Sequence, residues 1–148
     1  MKLLILPILA LFVTGCATEA QKNDAVVDTW TSALPAVNAD YGTYPEDYQS
    51  LIKKYFLKTL KDPESVRYSE FSIPRKEHAI KNAKEHLAVY GYSACVLVNA
   101  KNSYGGYTGN KQYWFLFRNG EIVRNKDTSA KYFGRRIYIG RPINCQNG

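Results

Sequence analysis

Residues 87–100, LAVYGYSACVLVNA, decide the fold. From Ala94 the run alternates. Ala94, Val96 and Val98 fall on one side of an extended chain, and Cys95, Leu97 and Asn99 on the other. Apolar groups on both sides mark a central strand, covered on both faces at least in part. Downstream, Lys111 to Arg118 reads as a second strand, with Tyr113, Phe115 and Phe117 opposite Trp114 and Leu116. Asn119-Gly120 then joins it to a third, Glu121 to Arg124, because this dipeptide between apolar runs fits the positive φ values of a tight hairpin turn. Arg136 to Gly140 reads as a last edge strand, with Ile137 and Ile139 inward and Tyr138 outward.

Upstream, Tyr44 to Leu60 carries helical spacing: Tyr48, Leu51, Ile52, Tyr55, Phe56 and Leu60 share one face, and most of the lysines lie off it. Pro45 suits a first turn, Glu46 and Asp47 complement the helix dipole, and Asp62-Pro63 stops it. Val66 to Ile73 begins to alternate and then slips at Glu70. That implies a bulge, or two halves that face opposite ways. Arg75 to His86 is charged with no deep apolar face, and is expected to be a loop or an exposed helical turn. The sum is an α+β domain: one main amphipathic helix packed on an antiparallel sheet of four to five strands. It is expected to occupy residues 43–148.

Between the two longest strands lies Asn99-Ala-Lys-Asn-Ser-Tyr-Gly-Gly-Tyr-Thr-Gly109, which has no aliphatic side chain larger than Ala100. Gly105, Gly106 and Gly109 permit positive φ, Asn102 favours turns, and Tyr104 and Tyr107 are flat groups with a polar tip. Two readings stay open: a long hairpin connection whose tyrosines fold back on the sheet, or a recognition loop. On the second, Asn99, Lys101 and Asn102 supply polar contacts, Tyr104 and Tyr107 stacking area, and Gly105, Gly106, Thr108 and Gly109 the shape. A phosphate-binding loop is set aside, since Asn110-Lys111-Gln112 follows Gly109 where a glycine would have to precede Lys-Ser or Lys-Thr.

At the other end, Lys2 precedes an apolar run, Leu3 to Val13. It is shorter than the roughly twenty residues a membrane-spanning helix needs. It leads into Val13-Thr14-Gly15-Cys16, which resembles the lipobox of bacterial lipoproteins. The resemblance implies a signal peptide at residues 1–15, cleavage before Cys16, acylation of Cys16, and a tether over residues 16–42. More than one acyl chain gives stable anchoring. Ala17 stands where an aspartate would resemble an inner-membrane retention signal, so the expected address is the outer membrane, facing the periplasm.

Charge is uneven. From Lys101 to Gly148 nine basic residues oppose two acidic ones, whereas Cys16 to Ala100 carries ten against eleven. A basic half implies an anionic neighbour, such as headgroups, wall carboxylates or an acidic protein, and periplasmic exposure disfavours nucleic acid. With Cys16 acylated, Cys95 and Cys145 remain in an oxidising compartment, where a disulfide is expected. Two buried thiols or a redox pair are the alternatives.

Signs of catalysis are sparse. His78 and His86 sit in the charged segment, are expected at the surface, and match no metal-ligand spacing; Glu121 and Asp127 show no shared cleft. No cofactor or metal is expected. Three segments together resemble a group of small bacterial lipoproteins and secreted proteins without assigned function: Tyr44-Pro45-x-x-Tyr48, Leu60-Lys61-Asp62-Pro63-x-Ser65, and Tyr90-Gly91-Tyr92-x-x-Cys95-x-x-Val98 running on through Gly109. The similarity covers most of Tyr44 to Val123, with Arg75 to His86 as extra length. It implies a lipoprotein domain with no catalytic residues. The expectation is therefore a lipid-anchored binding or structural module whose partner is an envelope protein or glycan. A cell-wall or lipid hydrolase assembled in three dimensions is the alternative. A small inhibitor resembling periplasmic lysozyme inhibitors is another, although lysozymes are usually basic themselves.

Overall fold

In chain order the elements are a helix α1 (Tyr48–Thr59), a short 3-10 turn (Pro63–Ser65), and the strands β1 (Arg67–Ser69), β2 (Arg75–Asn82), β3 (Leu87–Asn99), β4 (Lys111–Arg118), β5 (Glu121–Asp127), β6 (Arg136–Tyr138) and β7 (Arg141–Pro142). The computed structural model describes residues 29–129, 136–138 and 141–145. Two units divide the chain, Met1–Ala33 and Leu34–Gly148. In the first, residues 29–32 are helical, and the Ala33 amide donates to the Trp30 carbonyl at 3.1 Å. The expected signal peptide and residues 16–28 of the expected tether, Cys16 included, lie outside the described residues, as do Ile139 and Gly140 and the side chains of Arg136 and Tyr138.

The second unit is the α+β domain, built around β3. Its strands β1 to β5 form one antiparallel sheet. Tyr92 pairs with Phe117 of β4 and with Lys76 of β2, and Leu97 pairs with Gln112 of β4 and Ser69 of β1. Strands β2 and β1 therefore follow one another along the same side of β3, opposite β4. The expected slip is where they part. Glu70 adopts φ 52°. This twist brings Phe71 back to the side of Tyr68, whose ring it stacks on at 6.0 Å. Ser72 stands in for the missing ladder: its amide donates to the Cys95 carbonyl, and its Oγ accepts from the Cys95 amide, both at 2.9 Å.

Two apolar clusters confirm that β3 is covered on both faces. On one, Ala94, Val96, Val98, Phe115 and Phe117 pack against Ile52 and Phe56 of α1. Aromatic edges dominate: Phe56 meets Tyr113 at 4.9 Å and Tyr55 meets Phe115 at 5.2 Å, both T-shaped, the geometry ring quadrupoles favour. On the other face Cys95, Trp114, Leu116 and Ala79 lie under Ile137 and the C-terminal tail. The expected Cys95–Cys145 disulfide holds that tail. Asn119 (φ 51°) and Gly120 (φ 78°) make the expected turn.

Several expectations are corrected. The helix starts at Tyr48, not Tyr44, and Asp47 is its N-cap. Pro45 lies in the preceding turn, where its carbonyl accepts from the Tyr48 amide at 3.1 Å. Arg75 to Asn82 is a strand, not a loop or helical turn. Of its charged residues Lys76 and Lys81 stay exposed, while Glu77 and His78 are buried: Arg141 Nη2 donates to Glu77 Oε1 at 2.5 Å, and His78 lies against Tyr90, its partner on β3, rings 5.8 Å apart. His78 is thus 1% exposed rather than a surface residue, whereas His86 is exposed. Strand β6 pairs with β7 in a separate two-stranded piece and is not an edge of the main sheet, although Ile137 is buried as read.

Residues 36–42, expected to belong to the tether, run against the sheet. The Ala36 amide donates to the Tyr90 hydroxyl at 3.1 Å, and Tyr41 meets the Tyr90 ring edge-on at 5.5 Å. Arg118 donates to the Asp40 carboxylate at 2.6 Å. The Gly42 amide and this guanidinium hold the Asp40 carboxyl below its usual range.

Candidate functional site

The connection from β3 to β4 is a small, internally bonded hairpin. Lys101 and Tyr107 form a bridge. Above it the Asn102 amide donates to the Gly106 carbonyl at 2.8 Å, and the Gly105 amide to the Asn102 carbonyl at 3.0 Å. The Asn102 side chain is the clasp. Its Oδ1 accepts from the amides of Tyr104 (2.9 Å) and Gly106 (3.1 Å), an Asx turn that satisfies two donors at once. Gly105 sits at φ 82°, which this tight reversal requires. Below, Thr108 bonds back to the Ala100 carbonyl through its amide at 3.2 Å and its hydroxyl at 3.3 Å.

The two tyrosines part company. Tyr104, at the apex, is 97% exposed. Tyr107 is 39% exposed and lies under two cations: the Arg67 guanidinium is 4.3 Å from the ring centroid and Lys101 Nζ 5.6 Å. Its π-face is already in use within the chain. Neither tyrosine folds back into the core. Asn99 stays in β3, paired with Arg67, and its Oδ1 is buried with no hydrogen-bond partner among the described residues. Lys101, Asn102, Gly105, Gly106, Thr108 and Gly109 are exposed.

The neighbours of the loop were not apparent from its own sequence. The Lys101 amide donates to Ser65 Oγ at 3.1 Å, and Lys61 Nζ lies 3.4 Å from Ser103 Oγ. The Lys61-to-Arg67 stretch thus braces the hairpin from one side. Lys111, opposite Val98, stands at its foot. The signal that could have found them is the Lys-Asp-Pro-x-Ser run, whose serine bonds the loop and whose flanking cations meet it.

A cleft of about 730 Å³ opens on the disulfide-bearing face. Among the described residues it is lined by Leu97, Asn110, Gln112, Thr128 and the tail from Pro142 to Cys145, together with Ser129. Its side chains are amides, hydroxyls and apolar groups; no histidine and no glutamate lines it. Asp127 is engaged in a turn, accepting from the amide and hydroxyl of Ser129. His78, whose pKa is pushed below the usual imidazole value by burial and by Arg141, lines no cleft with the loop. Among the described residues no group of three or more His, Cys, Asp or Glu side chains could hold a metal ion.

The fold and this geometry define a class: an α+β domain carrying a braced polar-aromatic hairpin with one free ring at its apex. No protein-family model matches the chain, and no curated protein or solved structure is significantly similar to it.

Proposed function

We propose that the protein is a binding module of the bacterial envelope, lipid-anchored through Cys16 at the outer membrane and facing the periplasm. In this reading the loop from Asn99 to Gly109 is its contact element, and the partner is an envelope component. The observation that carries it is Tyr104, a large ring left almost wholly in solvent on a hairpin whose backbone is locked by Asn102. With the backbone beneath the ring fixed by Asn102, less chain entropy is left to lose on contact than in an open loop. Support for the address comes from the lipobox-like Val13-Thr14-Gly15-Cys16 and from a disulfide of the kind found in oxidising compartments. The hydrolase alternative needs a nucleophile–base pair or paired carboxylates in a cleft, and the described residues that line the 730 Å³ cleft supply neither arrangement.

Two measurements test this. The mass of the chain extracted from membranes should show residues 1–15 removed and acyl groups on Cys16; an unmodified soluble chain would sink the address. Tyr104→Ala should lose the envelope partners that the parent chain recovers in a pull-down, with the fold intact, because Tyr104 contributes no core packing. Unchanged recovery would argue against the contact role.

A further inference from the structure

We propose that the end of the domain bearing this hairpin docks on an anionic bilayer surface, with the Tyr104 ring at the level of the headgroups. The inference rests on the contact role given to the loop and names its partner. Four cations surround the hairpin: Lys61 beside Ser103, Arg67 and Lys101 over Tyr107, and Lys111 at the foot. Among the described residues none of the four has a carboxylate within ion-pairing distance. The bracing segment itself carries two carboxylates, Asp62 and Glu64, so the four cations outnumber them there.

Shape selects the partner. The apex is convex: a Cβ placed on Gly105 or Gly109 would meet no atom within 4 Å. A soluble anion would find no enclosing cradle. A protein partner of ordinary stability covers about 800 Å² on each side, more than one exposed ring on a narrow hairpin offers. A charged bilayer needs neither concavity nor area. It attracts spread-out lysines and arginines over a Debye length, and it accepts a tyrosine whose ring is apolar and whose hydroxyl stays wet. Arg67 and Lys101 rest their charged ends over the Tyr107 ring, and both residues are exposed, so their charges stay within reach of an anionic surface.

The test is local to the apex, so attachment of the chain elsewhere does not feed into it. The full chain carrying Tyr104→Trp is mixed with vesicles of phosphatidylcholine alone, or of equal parts phosphatidylcholine and phosphatidylglycerol. Quenching by brominated lipid is read after subtracting the parent chain, which contains Trp30 and Trp114. The expected result is quenching in the anionic vesicles only, weakened by added salt. Lys61→Gln and Lys101→Gln should each weaken it about fivefold, the loss of one basic side chain near an anionic surface. Equal quenching in both vesicles, or none in either, overturns the proposal. If quenching is absent and a photo-crosslinker at position 104 still captures a glycan or protein, the bilayer partner is wrong and the contact role of the loop survives. If neither occurs, both fall.

Discussion

Removing the Cys95–Cys145 link should cost this domain a large share of its stability. The bond joins residues 50 apart in sequence, from the middle of β3 to the tail that covers Trp114 and Leu116. In the chain-entropy treatment, freeing a loop of that length gives the unfolded chain about 4 kcal/mol of advantage at 25 °C. A domain of this size has a total stability of about 6–17 kcal/mol. The reduced protein should therefore stay folded at room temperature, and its urea midpoint should fall by about 2 M. Part of the tail's grip remains, since Arg141 still binds Glu77 and Arg75 still donates to the Asn144 carbonyl. Urea unfolding followed by tryptophan emission, with and without dithiothreitol, measures the effect. Cys95→Ala combined with Cys145→Ala should reproduce it, with a further loss from the buried Cys95 site. A shift worth less than about 1 kcal/mol on reduction would refute the reasoning, because the link would not then be constraining the unfolded chain.

Other outcomes follow from single positions. Gly91→Ala should destabilise the sheet by about 3 kcal/mol or prevent folding, since its new Cβ would stand 2.1 Å from the Phe117 carbonyl oxygen, backbone that cannot swing aside; a thermal midpoint equal to the parent's would contradict this. Asn102→Ala should leave global stability within about 1 kcal/mol, yet speed hydrogen exchange at the amides of Tyr104 and Gly106, the two donors it strips. Unaltered exchange there would mean that the clasp does not hold the apex. His78 has a lowered pKa in the folded protein, chiefly from burial and also from Arg141, with Glu77 opposing. The unfolded chain therefore binds the proton more readily, and unfolding free energy should decline as pH drops below the ordinary imidazole value of 6.5 towards the folded pKa. A flat profile over that range would show that His78 is not differentially protonated.

What could be read without coordinates was what local pattern controls. The β3–β4–β5 meander rests on alternation and an Asn-Gly turn, both written within a few residues. The helix stripe is equally local, although the start was misplaced because Pro45 and the acidic pair after it serve a turn as well as a first helical turn. Strand β2 was illegible for a physical reason. Its Lys76-Glu77-His78 run resembles a solvated segment, and the counter-charge that helps make Glu77 tolerable inside comes from Arg141, 64 residues further on. Residues 36–42 looked like linker, since nothing near Asp40 announces Arg118 as its partner. In the hairpin, composition revealed the turn but left open whether its tyrosines fold back on the sheet or face solvent. It could not separate Tyr104 from Tyr107, because the nearer of the two cations over Tyr107, Arg67, comes from β1.

The central claim is that the Tyr104 apex touches a component of the envelope. The most direct measurement places a photo-crosslinking side chain at position 104 in living cells, with the same probe at Leu57, also exposed but on the helix, as the reference site. The account predicts an adduct of one defined mass, lipid, glycan or protein, from position 104 and none from position 57. Adducts of equal yield from both positions, or none from position 104, would contradict it.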